Sequence, residues 1–116
     1  MDIYEALYTT RAMRRLKPDP IPYDVQARIL DAAIRAPNMD QQWRFLLVDD
    51  ANIKSQLAPL YLRAWERLFE QFGISPAALA EMMKSDTPQG RSARSGNYLA
   101  HHFAEVPFLA YGGSHK

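Results

Sequence analysis

Apolar residues recur along this chain at two spacings, and the switches between them mark its elements. Ile3, Tyr4 and Leu7 fall on one face of a helical projection, so residues 2–8 read as a short amphipathic helix. A helical continuation would set Arg11, Arg14 and Arg15 on one face, because they lie three and four apart. Pro18, Pro20 and Pro22 then enforce an extended connector, since proline fixes its own φ and restricts the residue before it. Residues 23–36 give the clearest helix. Val25, Ile29, Ala32 and Ala33 form its apolar stripe, Leu30 and Ile34 widen it, and Pro37 stops the run. After a polar loop the period changes: Trp43-Arg44-Phe45-Leu46-Leu47-Val48 predicts a strand, buried on both faces near its end and closed by Asp49-Asp50.

Helical spacing then returns. Asn52 is the expected cap of a helix over 53–72, along which Leu57, Leu60, Tyr61, Ala64, Trp65, Leu68 and Phe72 recur. Pro59 is expected to kink that helix or divide it in two. Gly73 supplies a stop, and Ser75-Pro76 supplies a cap and a first-turn proline for a short helix through residue 83. A further helix over 91–104 leads into a second strand over 106–111, with Pro107 at its start. Two strands do not make a self-sufficient sheet. Either they pair over a helical layer, or strands are supplied from outside the chain.

Composition narrows the chemistry by exclusion. At 116 residues and 13.3 kDa the chain is one domain, with room for a core. Hydrophobic residues at 47% rule out a disordered polymer, and a net charge of +1 speaks against binding nucleic acid by bulk electrostatics. The lack of cysteine removes disulfides, thiolate nucleophiles and thiolate metal sites, and fits a cytosolic protein. Asp2 and Glu5 interrupt any signal peptide, and no apolar window is long enough to span a membrane. His101 and His102 are adjacent, so on a helix they diverge and cannot share one ion; one is expected packed and one solvated. His115 sits in the terminal segment. No phosphate-binding glycine loop and no nucleophile elbow is present, and Asp49-Asp50 read as a solvated turn. Trp65, Phe69 and Phe72 read as core or interface. With no catalytic set of its own, the chain is expected to work through a bound cofactor.

The segment Thr9-Thr10-Arg11-Ala12-Met13-Arg14-Arg15-Leu16-Lys17-Pro18-Asp19-Pro20 packs four cations into seven residues. One reading has them complementing the dipole of the first helix, for ~0.3–1 kcal/mol each. The other has a guanidinium fork holding a phosphate attached to something flat. With its sequel Ile21-Pro22, this segment resembles the Arg-Arg-Ser-x-Arg-x-Phe opening of the nitroreductase family of FMN-dependent oxidoreductases. Ile29 to Asn38 is similar to that family's helix ending in Ala-Pro-Ser, and Gln42 to Val48 resembles its Gln-Pro-Trp-x-Phe strand. The helix leading into Val106-Pro107-Phe108-Leu109 fits a later Ala-Pro strand more loosely.

The resemblance implies an α+β, nitroreductase-like fold, truncated to the N-terminal portion, helix-rich with few strands and completed by dimerisation. Residues 1–116 would form a single, partial domain. FMN would be the cofactor and NADH or NADPH the hydride donor; a nitroaromatic, quinone or similar small molecule would accept electrons. Thr10, Arg11, Ala12, Met13 and Arg14 would form the binding segment. Arg11 would approach the phosphate or ribityl chain, and Arg14 the pyrimidine edge, where a fixed cation stabilises the charge that reduction creates. Asn38, Met39 and Gln42 would meet the flavin from the other subunit of a homodimer. No residue is required as a general base. Departures from the family pattern are Thr10 for the first arginine, Ala12 for serine, Leu16 for phenylalanine, and a shorter 37–43 loop without the proline before tryptophan. The alternative is a non-catalytic remnant, or an interaction module that depends on a partner and carries no flavin chemistry. A nucleic-acid module using Arg11, Arg14, Arg15 and Lys17 is disfavoured by the near-zero net charge.

Overall fold

The computed structural model describes residues 1–37 and 42–114, and the architecture is α+β: five helices, one 3₁₀ turn and a two-stranded sheet. Helix α1 (Ile3–Thr9) is capped by Asp2, whose carboxylate accepts the Glu5 N–H at 2.8 Å. It stops where the Thr9 hydroxyl turns back onto the Glu5 carbonyl and Thr10 adopts an extended backbone. The segment beyond is not helical, so Arg11, Arg14 and Arg15 do not share a helix face, and no cation sits in the last turn of α1. That removes the dipole reading of this segment.

Helix α2 (Tyr23–Ala33) ends short of the predicted 36. Arg35 and Ala36 donate to the carbonyls three residues back, tightening the chain into turns before Pro37, which disfavours helix at its predecessor. Buried Gln26 donates to the Ile21 carbonyl at 2.8 Å and fixes the entry. Helix α3 (Ala51–Gln71) is capped by Asp50 rather than Asn52, the carboxylate accepting the Ile53 N–H at 2.9 Å. It runs through Pro59 undivided. Pro59 and Ser55, the residue whose carbonyl it leaves without a helical donor, are both exposed, where solvent rather than protein surrounds the break in the ladder. Gly73, at φ +71°, closes α3: Ile74 donates to Phe69 and Gly73 to Glu70, the two bonds of a Schellman end.

Helix α4 (Pro76–Lys84) begins at the predicted Ser75 cap, and α5 (Pro88–His101) at Thr87, earlier than the expected 91. A 3₁₀ turn (Phe103–Glu105) follows. Strand β1 (Trp43–Val48) pairs antiparallel with β2 (Leu109–Ser114), from Val48 opposite Leu109 to Trp43 opposite Ser114. Strand β2 starts at Leu109 rather than 106 because Val106 ends the 3₁₀ turn and Pro107 has no N–H for a ladder. Neither face of β1 is fully buried: Trp43, Phe45 and Leu47 are half-buried, and Arg44 and Leu46 are exposed.

The core lies between α3, α5 and the 3₁₀ turn. Ala93, Ala100, Phe103 and Val106 are buried, Phe103 stacks on Tyr61 at 4.4 Å, and Trp65 meets Phe69 edge-on at 4.7 Å. Gly90, Ala93, Gly96 and Ala100 give α5 a face of small residues, all buried. The Lys54 amine is buried and donates to the Val106 carbonyl at 2.8 Å, joining the first turn of α3 to the approach of β2.

Much apolar surface is left over. No residue of α1 is buried, and Leu7, Tyr8 and Phe72 are 64%, 85% and 72% exposed. The accessible surface is 9199 Å², against roughly 6,500 Å² for a compact monomer of this mass. The radius of gyration is 16.9 Å, against about 13 Å for a compact chain. Among the described residues, no helix is long and apolar enough to cross a membrane.

Candidate functional site

Arg14 leaves an irregular segment and reaches α5, where its guanidinium donates to the Ser95 hydroxyl at 3.1 Å. The Ser95 hydroxyl in turn donates a hydrogen bond to the Ser92 carbonyl at 3.0 Å, so the pair is oriented by the helix backbone. Held there, Arg14 borders a cavity of about 500 Å³ between α3, α4 and α5. Trp65, Leu68, Phe69 and Met82 form its walls, and Ala93 and Gly96 line the α5 side. A Cβ on Gly96 would lie 2.5 Å from the Trp65 ring, so a bare backbone is what admits the indole. The indole N–H is satisfied by Asn97 Oδ1 at 3.3 Å.

The result is an apolar groove open to solvent, with one cation at its margin. Its volume suits an organic cofactor or substrate. Among the described residues no carboxylate pairs with Arg14, so its charge is answered only by a neutral hydroxyl. A guanidinium beside aromatic walls suits a planar ligand with an electron-rich edge, because cations strengthen their hold on such an edge where water is scarce. Elsewhere, on β1, the buried Trp43 indole N–H has no acceptor among the described residues. The Arg14 guanidinium at the cavity margin is compatible with a flavin, whose pyrimidine edge offers acceptors.

The other expected site residues are placed differently. Thr10, Arg11, Ala12, Met13 and Gln42 are exposed, with Thr10 forming the end of α1. Asn38 and Met39 lie outside the described residues, as does His115. Arg15, adjacent to Arg14, turns instead to Tyr98 on another face of α5. His101 is exposed and His102 half-buried, the expected division. Ser95, Asn97 and the Trp65–Gly96 contact were not anticipated. A signal for the last existed in the small residues at positions 90, 93, 96 and 100, whose helical spacing marks a face built for close approach.

The family model described as the nitroreductase family matches residues 7–113 of the chain. No solved structure matches the chain.

Proposed function

The chain belongs to the nitroreductase family, whose members are flavin-dependent oxidoreductases, and on that premise we propose that it binds FMN and works as a homodimer. The single observation that carries the reading is Arg14, a cation with no acidic partner among the described residues, at the margin of an aromatic-walled cavity. Bound flavin would supply the two-electron chemistry, linking oxidation of NADH or NADPH to reduction of a nitroaromatic, quinone or similar acceptor. The chain's own part is to bind and tune. Arg14 stabilises negative charge at the pyrimidine edge, and the Ser95 hydroxyl keeps its guanidinium in place. Trp65, Phe69 and Met82 supply an apolar wall against which a flat ring can lie, and the ring itself would then cover the guanidinium from water. Exposed Arg11 approaches the phosphate or ribityl chain, with the Thr10 hydroxyl beside it and Ala12 and Met13 completing the segment. Asn38, Met39 and Gln42 reach the flavin of the partner subunit.

A second copy is the occupant we assign to the uncovered apolar surface. The surplus of roughly 2,700 Å² is of the size that each protomer of an obligate dimer covers. The same surplus also favours a second reading, a partner-dependent interaction module without flavin chemistry.

An absorbance spectrum of the full chain with added FMN, combined with gel filtration, separates the two. Flavin co-eluting with a dimer is expected; a colourless protein that ignores FMN favours the second reading. Arg14→Ala and Arg11→Ala should each weaken FMN binding about tenfold or more, the worth of one charge-assisted hydrogen bond. Unchanged flavin retention in both variants would overturn the residue assignment.

A further inference from the structure

Arg15 follows Arg14 directly but serves a different surface. Its guanidinium carbon lies 4.1 Å from the centre of the Tyr98 ring, and the His102 ring stacks on Tyr98 at 3.9 Å and 14°. Two groups that close cannot share one face, so Tyr98 is sandwiched between them. The stack borders a groove of about 420 Å³, lined by Arg15, Arg94, Asn97, Tyr98, His101 and His102 together with Met83. No carboxylate lines it. The Glu105 carboxylate stands 3.9 Å from His102 Nε2.

The donors of this groove are held before any ligand arrives. Arg94 uses Nη1 on the Met83 and Ser85 carbonyls, at 2.6 and 2.8 Å, and keeps Nε and Nη2. Asn97 Oδ1 accepts the Trp65 indole, which leaves the Asn97 amide N–H₂ as a donor. His101 and His102 give Nδ1–H to the Asn97 and Tyr98 carbonyls at 2.8 and 2.7 Å, so Nε2 adds a donor only in the doubly protonated ring, and that of His102 also faces Glu105. Arg15 is kept in place by the Tyr98 face. One guanidinium held by two carbonyls, a second laid on an aromatic face and an amide donor on the same groove suit the several oxygens of a phosphate, and holding Arg94 beforehand lowers the ordering cost of binding.

We propose that this groove is an anion site for a phosphate group belonging to a ligand other than the flavin. The separation follows from the helix. The Arg14 cavity is bordered by Ser92, Ala93 and Gly96, whereas the groove is bordered by Arg94, Asn97, Tyr98 and His101, a different face of α5. The site does not rest on the flavin reading.

The test is a titration of the labelled full chain with inorganic phosphate at constant ionic strength, following the ring resonances of His101 and His102 by NMR. A saturable shift of both is expected. Arg15→Gln should weaken binding about fivefold or more, with Arg15→Lys recovering part of the loss because charge returns without the fork. His101→Gln, at an exposed position, should weaken it about twofold. Absence of a saturable shift, or wild-type affinity in both Arg15→Gln and His101→Gln, overturns the proposal. Repeating the titration with saturating FMN or riboflavin identifies the source of the phosphate. Phosphate that stays bound beside FMN supports a separate ligand. Phosphate displaced by FMN but not by riboflavin assigns the groove to the flavin and overturns it. If the chain fails to take up FMN at all, the flavin reading falls while the phosphate titration stands.

Discussion

Helices α1 and α2 carry apolar stripes as regular as that of α3, and they meet a different fate. Ile3, Leu7, Val25 and Ile29 remain exposed, while Leu57, Tyr61 and Trp65 of α3 are half-buried beside a core made of Ala93 and Ala100 from α5 with Phe103 and Val106 from the turn beyond. Periodicity is equal on both sides; what differs is a facing surface. Helix α5 offers small residues against which the Trp65 ring can lie, and the 3₁₀ turn delivers Phe103 to Tyr61. Nothing comparable meets α1. An amphipathic pattern thus states that a face wants cover, and the chain fold decides whether that cover comes from within.

The contrast breaks first if α1 and α2 are not an interface. Leu7→Asp combined with Ile29→Asp should weaken the proposed dimer by more than about a hundredfold, since burying each leucine-sized side chain contributes ~1.5–3 kcal/mol. Analytical ultracentrifugation reads this directly, and a variant as dimeric as the wild type would place the interface elsewhere. In the self-packed region, Phe103→Ala should cost about 3–5 kcal/mol in urea unfolding, because it empties a buried ring from a stack. A loss well under 1 kcal/mol would mean that the helical core is as loosely packed as α1. Gly96→Ala sharpens the comparison more finely. Its Cβ meets the Trp65 ring, so about 1–3 kcal/mol should be lost, whereas Gly113→Ala in β2, with nothing within 4 Å, should stay within ~0.5 kcal/mol. Equal effects at the two glycines would remove the distinction.

Local chemistry was legible from the chain. Ser75-Pro76 opens α4 as expected, Gly73 closes α3, and the alternation after Gln42 is a strand. Errors arose where two local signals competed. Asp50 and Asn52 are both capping residues, and the choice fell to where β1 releases the chain. Of the two outcomes expected at Pro59, a kink or a division, division does not occur: Tyr61, Leu62 and Trp65 on the same helix are half-buried, and their packing keeps α3 continuous. Of the candidate site, the cationic segment was legible as a group. The divergence of Arg14 and Arg15 was not, because it depends on Ser95 and Tyr98, which lie far along the chain on separate faces of α5.

The sheet has a consequence for how the molecule is made. Every rung of its ladder, from Val48–Leu109 to Trp43–Ser114, closes a loop that contains all of α3, α4 and α5. During synthesis β1 therefore leaves the ribosome with both edges open and waits until three helices have been translated before its mate appears. Contacts across such long loops form late, whereas helices assemble within their own length. Over that interval the nascent chain exposes an unpaired, apolar strand, the kind of segment that invites chaperones or misassociation.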